Sequence, residues 1–150
     1  MKQTVREALE IEAKYNLEIE SNYIPLNIWS IKVLGFDAAL MFAVLYEEHL
    51  YQRSKGNSGN FKCSIKTVKD RICFSEDRQR KAIKVLVNKG LINAYLNRSV
   101  DENGRINKRC RMFRIIFDSY GFKQYFKDIK LVREKRDEIA DPYNSTDLPF

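Results

Sequence analysis

Cysteine and histidine are too few, and too irregularly spaced, to form the usual metal or disulfide sites. The 150 residues include three cysteines, Cys63, Cys73 and Cys110, and a single histidine, His49. The cysteines show no CxxC or similar spacing, and one histidine cannot complete a standard metal set with them. We therefore expect three reduced thiols, buried or half-buried in the fold, and no metal or other cofactor.

Long apolar segments are missing as well. No run approaches the roughly 20 residues of a membrane span. The first residues, MKQTVREALEIEAKYN, have charges every few positions instead of the continuous apolar stretch of a secretory signal. The composition, 44% hydrophobic and 31% charged, suits a soluble globular protein. A chain of this length can build one core but not two ordinary domains, so we expect one cytoplasmic domain with terminal extensions.

The sequence has no arrangement of residues typical of an enzyme. The segment KGNSGN contains glycines but lacks the GK[ST] ending and the preceding strand of a phosphate-binding loop. Glu47, Glu48 and His49 form the only local cluster of reactive polar groups, but consecutive residues of a helix point in different directions. We expect His49 to pack on Leu45 or to cap carbonyl groups at a helix end. The sequence therefore predicts a binding protein, not an enzyme.

Acidic residues are scarce in the middle of the chain. Residues 60–116 contain 15 Lys or Arg against 5 Asp or Glu, a net charge of +10, whereas the other 93 residues have a net charge of −3. The basicity is thus confined to one region. A polyanionic partner is expected for that region, and nucleic acid is the commonest such partner.

The amino-terminal part of the chain predicts helices. The arm, residues 1–22, has helical apolar periodicity after Thr4, which is a plausible N-cap. Pro25 interrupts the chain, a short helix is predicted over residues 27–34, and Gly35 is well placed to end it. The segment FDAALMFAVLYEEHLYQ is apolar on most faces, which predicts a central helix packed on several sides.

The basic region predicts two short helices joined by a tight turn. RSKGNSGN is a polar loop, and FKCS is long enough for a short edge strand. Ser64 is a plausible N-cap for a helix in IKTVKDRI. After the turn, Ser75 is a plausible N-cap for a second helix that ends at Lys89, with Gly90 at the C′ position. Two short helices across so small a turn are a helix-turn-helix signature.

Two strands follow the second helix. They are predicted over residues 91–96 and 108–117, and the loop between them contains an NG pair that favours a hairpin turn. Apolar and polar residues alternate poorly in the second strand, which leaves open whether Met112 or Phe113 faces inward. This order of elements predicts a winged helix, in which a hairpin lies beside the recognition helix.

A last helix is predicted over residues 118–140, with Asp118 or Ser119 as its cap. Its apolar residues form one stripe, namely Phe122, Tyr125, Phe126, Ile129 and Val132. Residues 141–150 are expected to form a disordered tail. The predicted fold class is α+β, mainly helical: a winged helix-turn-helix over residues 23–117 with additional N-terminal and C-terminal helices.

The second helix of the pair, residues 75–89, has two chemically distinct sides at 100° per residue. One side contains Gln79, Ala82, Ile83, Leu86 and Val87. The other side contains Asp77, Arg78, Lys81, Lys84, Val85 and Asn88. The second group mixes cations, an amide and a small apolar side chain, which suits phosphates and base edges in a major groove. Gln79 is expected to face the core.

Arg78 is the first candidate for base readout, because arginine can contact guanine with two hydrogen bonds. Lys81 and Lys84 are candidates for both phosphate and base contacts, whereas Asn88 lies near the helix end, where base contacts are fewer. Lys66 and Lys69 lie on the polar side of the preceding helix, where it would cross the DNA backbone. The predicted wing supplies Arg98, Arg105, Lys108 and Arg109 for a flanking phosphate or a minor groove.

The region resembles a known family of replication proteins. Three consecutive segments are similar to the winged-helix region of phage replisome organisers and of plasmid replication initiators of low-GC bacteria. They are YIPLNIWSIKVLGFDAALMFAVLYEEHLYQRS, then FKCSIKTVKDRICFSEDRQRKAIKVLVNKGLI, then a basic hairpin ending in KRCRMFRI. The resemblance covers residues 23–117 and is most specific over residues 64–92. KGLI after a basic helix also occurs in other winged-helix families, transcription regulators included.

The resemblance implies sequence-specific binding to repeated sites in duplex DNA, often as a dimer, in replication initiation. By position it assigns Arg78, Lys81 and Lys84 to the recognition helix and residues 105–109 to the wing. Those initiators usually continue into a C-terminal domain that engages helicase or its loader, whereas only a helix and a tail follow here. The chain is therefore expected to be a fragment of an initiator or a small phage or plasmid regulator.

Three classes of function stay open at this point. The first is a winged-helix protein that binds duplex DNA in replication or in transcriptional regulation. The second is an interaction module that oligomerises, with a possible homodimer through the terminal helices, or docks replication proteins. The third, an RNA or single-strand binder, is disfavoured because the aromatic residues are not interleaved with the basic ones on a predicted sheet face.

Overall fold

The structure, a computed structural model, describes residues 4–22, 24–57, 59–98, 102–105 and 109–139. Within these ranges the fold is α+β and mainly helical, with six helices and one antiparallel sheet of three strands. The elements are α1 (Val5–Asn22), α2 (Ile28–Leu34), α3 (Phe36–Ser54), β1 (Phe61–Lys62), α4 (Ile65–Ile72), α5 (Glu76–Asn88), β2 (Ile92–Asn97), β3 (Cys110–Ile115) and α6 (Tyr120–Ile139). The predicted tail, residues 141–150, lies outside the described ranges.

The helix starts and stops follow local hydrogen bonding. The hydroxyls of Ser64 and Ser75 each accept the backbone N–H three residues further on, at 3.0 and 3.3 Å, so both predicted caps are confirmed. Ser119, rather than Asp118, caps α6 by accepting a backbone N–H at 3.0 Å. Gly35 and Gly90 follow α2 and α5 with φ of 86° and 74°, a region that favours glycine.

The central helix α3 forms the middle of the core, as its sequence predicts. Its residues Ala39, Met41, Val44 and Leu45 are fully or almost fully buried, and it packs on α2, α5 and the sheet. It also continues to Ser54, so the polar loop that follows is two residues shorter than the sequence predicts. The reason is that α-helical hydrogen bonding persists through polar residues once the preceding turns are packed.

The sheet has the order β1-β3-β2, and the predicted hairpin of β2 and β3 is confirmed as an antiparallel pair. β1 lies at one edge, also as predicted. Phe113 pairs with Phe61 on one side and Ala94 on the other, and it is fully buried. Met112 is only half-buried, which resolves the question that the poor alternation of β3 leaves open.

Three local features differ from the sequence predictions. Phe126 is 62% exposed, so the apolar stripe of α6 lacks it, whereas Phe122 and Tyr125 are buried. His49 packs beside the rings of Tyr46, Phe61 and Phe117, which the sequence does not predict. Burial first, and the charge of a nearby arginine second, lower the pKa of His49. Its contacts with Phe61 and Phe117 join elements that are distant in sequence.

The third correction concerns the thiols. All three cysteines are free, but only Cys63 is buried and Cys110 half-buried, while Cys73 is exposed. Cys73 ends α4 in the left-handed region, with φ of 58°, and this geometry places it on the outside of the turn between α4 and α5. Burial raises the pKa of Cys63 to about 11. None of the described helices combines the length and apolar character needed to cross a membrane.

Candidate nucleic-acid interface

The orientation of α5 is set from inside the protein by one polar side chain. Gln79 is fully buried, and its amide nitrogen donates to the backbone carbonyls of Phe74, at 2.9 Å, and Ile65, at 3.1 Å. These two bonds tie α5 to the turn before it and to the start of α4. Because Gln79 faces inward, Lys81 and Lys84 are directed to the opposite, exposed side of the helix.

Arg78, the first candidate for base readout, is held in an ion pair. Its guanidinium donates two hydrogen bonds of 2.8 Å to the carboxylate of Asp37 at the start of α3, and it lies 4.0 Å from the centre of the Phe74 ring. The hydrogen bond from Arg78 lowers the pKa of Asp37. The Arg78 side chain stays 45% exposed, so it lies on the surface but has a partner within the protein.

The lysines of α5 are more accessible than Arg78. Lys81 is 79% exposed and lies 3.1 Å from the carboxylate of Asp77, a contact between solvated groups one helical turn apart. Lys84 is exposed and forms no ion pair with any residue in the described part of the chain. Lys81 and Lys84 can therefore approach a phosphate at little cost in lost internal contacts.

The helix before the turn presents the two predicted cations to solvent. Lys66 and Lys69 are exposed, on the side of α4 opposite to the buried Val68. Arg71 of the same helix donates to both carboxylate oxygens of Glu47 in α3, each at 2.9 Å. Sequence reasoning missed this pair and the Arg78–Asp37 pair, because their partners are 24 and 41 residues apart along the chain.

The hairpin contributes basic residues at both ends of its connecting segment. Arg98 follows β2, Arg109 precedes β3, and both are exposed. Arg105 is exposed next to Gly104, whose φ of 77° marks a tight turn, as the NG pair predicts. Lys108 lies outside the described residues. The described basic residues of the predicted wing, Arg98, Arg105 and Arg109, thus lie on the surface.

Arg111 is excluded from this surface although it belongs to the basic strand. Its Nε donates to the carbonyl of Cys63 at 3.0 Å, and its Nη2 is buried with no hydrogen-bond partner among the described residues. Desolvation lowers the pKa of the guanidinium. Of the two arginines of β3, Arg111 therefore points into the protein, and Arg114 is exposed on the opposite face of the sheet.

Within the described residues no three His, Cys, Asp or Glu side chains come together in a way that could hold a metal ion.

A comparison with the models of known protein families gave no match, and a comparison with curated proteins gave no significant match. The residues of this chain alone therefore define the candidate interface.

Proposed function

We propose that this protein is a winged-helix protein that binds duplex DNA with sequence specificity. The observation that supports the proposal best is the capped pair α4 and α5, joined by three residues and followed by an antiparallel hairpin, with the cations of both helices exposed. In such folds the second helix enters the major groove and the hairpin contacts the flanking backbone. α5 is the recognition helix in this proposal, and residues 97–109 form the wing.

Lys81 and Lys84 make the first contacts in this mechanism, because they are exposed and extend from the first half of α5. Lysine neutralises phosphate and also donates to guanine, so the two side chains supply affinity and part of the readout. Arg78 reads a base only if it exchanges the Asp37 carboxylate for a guanine edge. The pair with Asp37 keeps the guanidinium extended on the surface until that exchange.

The surrounding basic residues hold the helix on the DNA. Lys66 and Lys69 contact the phosphates that α4 crosses, and the wing residues contact the backbone or the minor groove next to the site. Arg98, Arg105, Lys108 and Arg109 make those wing contacts. The Arg71–Glu47 pair supports the α4 contacts indirectly, since it holds α4 on α3.

The biological role in this proposal is replication initiation or transcriptional regulation on a phage or plasmid, in the cytoplasm. It rests on the resemblance of residues 23–117 to initiators of that kind and on the localised positive charge. The protein acts by binding, without catalysis and without a cofactor.

The test is a charge reversal on the recognition helix. Lys81→Glu combined with Lys84→Glu should lower the affinity for duplex DNA by about tenfold or more, and should reduce the salt dependence of binding, because two phosphate contacts become repulsive. Fluorescence anisotropy at several salt concentrations measures both. Arg53→Glu with Lys55→Glu at the end of α3 is a matched control, because it makes the same charge change at exposed positions outside α4, α5 and the terminal helices.

The DNA target comes from selection of bound duplexes from a random pool. A recovered motif, lost in the Lys81→Glu and Lys84→Glu variant, would support sequence-specific recognition by α5. Equal duplex affinity in that variant and in the Arg53→Glu and Lys55→Glu control would contradict the proposal.

A second candidate function, self-association through the terminal helices, is favoured by the surface of α1. Val5, Leu9, Ile11 and Tyr15 are each more than half exposed, and α1 is not among the elements that pack extensively on the rest of the chain. The sequence of α1 has five acidic and two basic residues, whereas α6 has six basic and four acidic ones. We propose that α1 of one copy packs on α6 of a second copy in a homodimer, a surface that replication proteins could also use.

A further inference from the structure

The face of the sheet that points away from the helices has its own chemistry. Phe61, Phe113 and Ile115 are buried on the inner face, so the residues that alternate with them point outward. The outward residues of the three strands are Lys62, Asn93, Tyr95, Asn97, Cys110, Met112 and Arg114. None of these outward strand residues is acidic.

The strand register brings the important side chains together. Met112 in the central strand is opposite Tyr95 on one side and Lys62 on the other, and Arg114 is opposite Asn93. Opposite residues on neighbouring strands have their Cβ atoms about 5 Å apart. The Tyr95 side chain is 46% exposed in this position, although a phenol ring of its size is normally covered in a core or an interface.

A polar cavity borders this face at the edge strand. It has a volume of about 520 Å³, and the amide side chains of Gln52, Asn57 and Asn60 line it together with Lys62 and Met112. The amides of Gln52 and Asn57 are hydrogen-bonded to each other at 3.1 Å. An amide has two N–H groups and a carbonyl oxygen with two lone pairs, so each can also pair with the edge of a base. The cavity is open to solvent beside the Lys62 and Met112 side chains.

We propose that this outer face of the sheet, comprising Tyr95, Met112, Arg114 and Lys62, binds single-stranded DNA. An exposed ring on a flat surface can stack on an unpaired base but not on one enclosed in a duplex. Arg114 and Lys62 neutralise the phosphates on either side of the stacked base. The inference rests on the proposed DNA-binding function and extends it from a duplex to an unpaired strand.

The register corrects one argument made from the sequence. From the sequence alone, the aromatic residues are not interleaved with the basic ones on a predicted sheet face, which disfavours an RNA or single-strand binder. Pairing of β2 with β3, and of β3 with β1, places Tyr95 on the same face as Arg114 and Lys62. The face points away from α5, so a single strand on this face and a duplex on α5 lie on different sides of the sheet.

The test compares binding of a short fluorescent oligo(dT) strand with binding of a duplex. Tyr95→Ala combined with Arg114→Ala should lower the affinity of the full chain for oligo(dT) by about tenfold or more, and should leave duplex affinity within about twofold because α5 is unaltered. Tyr95→Phe should keep the affinity, since it preserves the stacking ring. Tyr120→Ala with Arg133→Ala is a matched control on α6, where both residues are exposed.

The outcomes separate this inference from the proposed function. Unchanged oligo(dT) affinity in the Tyr95→Ala and Arg114→Ala variant, or an equal loss in the α6 control, would overturn it. Tighter binding of oligo(U) than of oligo(dT) would overturn the assignment to DNA. If the unaltered protein binds oligo(dT) through Tyr95 but no duplex, the inference holds and the proposed function fails. A photochemical cross-link from a halogenated single strand to Tyr95 supports the inference without relying on any variant.

Discussion

At the scale of single residues, Gln79 helps to fix how α5 is oriented. The sequence places it on the apolar side of α5, and the structure confirms that it is buried. Its amide nitrogen bridges two carbonyls, one in the turn and one in α4, while its Oε1 has no hydrogen-bond partner among the described residues. A buried glutamine at this point thus has a structural role rather than a role in base readout.

We expect Gln79→Leu to lower the free energy of unfolding by about 1–3 kcal/mol, because the Phe74 and Ile65 carbonyls lose a buried donor. Urea denaturation followed by circular dichroism measures the change. Gln124→Leu on the exposed side of α6 is the control and should have little effect. A loss of duplex recognition without any loss of stability would instead indicate that Gln79 contacts DNA.

Arg78 shows how a residue on the predicted binding face can also have an internal partner. Removing the carboxylate with Asp37→Asn releases the guanidinium and takes one negative charge away from the start of α5. We expect the affinity for duplex DNA to rise by about twofold to fivefold at low salt. Anisotropy titrations test this, with Asp128→Asn on α6 as a charge-matched control. A fall in affinity would mean that the pair is needed to orient α5.

The same pair predicts a pH effect on stability. The folded-state pKa of Asp37 is lowered by its hydrogen bond to Arg78, so the carboxylate stabilises the fold above its unfolded pKa, about 3.9. That contribution is lost as the pH falls through the lower, folded pKa. The melting temperature of Asp37→Asn should therefore be slightly below that of the unaltered protein at neutral pH, with the difference disappearing in acid. A difference that persists there would point to a cause other than the ion pair.

At the scale of elements, a close approach joins the end of α5 to the start of α6. Ser119 donates a hydrogen bond of 2.6 Å to the Gly90 carbonyl. A Cβ atom at Gly121 would lie 1.9 Å from the Lys89 carbonyl oxygen, a distance that no side chain can occupy. The two helices can meet only because residue 121 has no side chain. Local propensity gives no hint of this, since glycine in the first turn of a helix has no obvious advantage over alanine.

The prediction is a reversal of the usual effect of glycine replacement. Alanine in place of a helical glycine normally stabilises by about 0.5–1 kcal/mol, but Gly121→Ala should destabilise by about 1–3 kcal/mol because the backbone of Lys89 must move. Thermal unfolding measures the sign. Lys123→Ala, at an exposed position in the same turn, should change the stability little. A stabilising effect of Gly121→Ala would show that α6 is not held against α5 as described.

At the scale of the whole molecule, the terminal helices differ in how they join the fold. α6 packs on α2 and buries Phe122 and Tyr125, whereas Val5, Leu9 and Ile11 of α1 are exposed. A groove of about 740 Å³ lies between α3 and the segment before α2, and Tyr125 of α6 and Ser30 of α2 also line it. The exposed apolar residues of α1 and this largely apolar groove favour contact between two copies.

We expect the protein to be a dimer at micromolar concentration, and Leu9→Glu with Ile11→Glu to convert it to a monomer with an unchanged melting temperature of the folded core. Light scattering gives the mass. Lys14→Glu, a polar substitution on the same helix, is the control and should stay dimeric. A monomeric mass for the unaltered protein would contradict the proposed role of α1.

Several features follow from the sequence because their causes are local. Ser64, Ser75 and Gly90 mark the ends of α4 and α5 through hydrogen bonds and backbone geometry that span only a few residues. The period of apolar residues likewise gives the buried side of α5 and the central position of α3. The exposure of Lys66, Lys69, Lys81 and Lys84 follows from the same periodicity.

The tertiary structure alone decides which partners meet. It pairs Arg78 with Asp37 and Arg71 with Glu47, turns Arg111 inward, and places Tyr95 on one face with Arg114. Each of these contacts joins residues that are far apart along the chain, and side-chain periodicity contains no information about such distances. The sequence by itself therefore determined the elements and the basic surface of α5, whereas strand register and helix packing decided which charges have partners and which remain exposed.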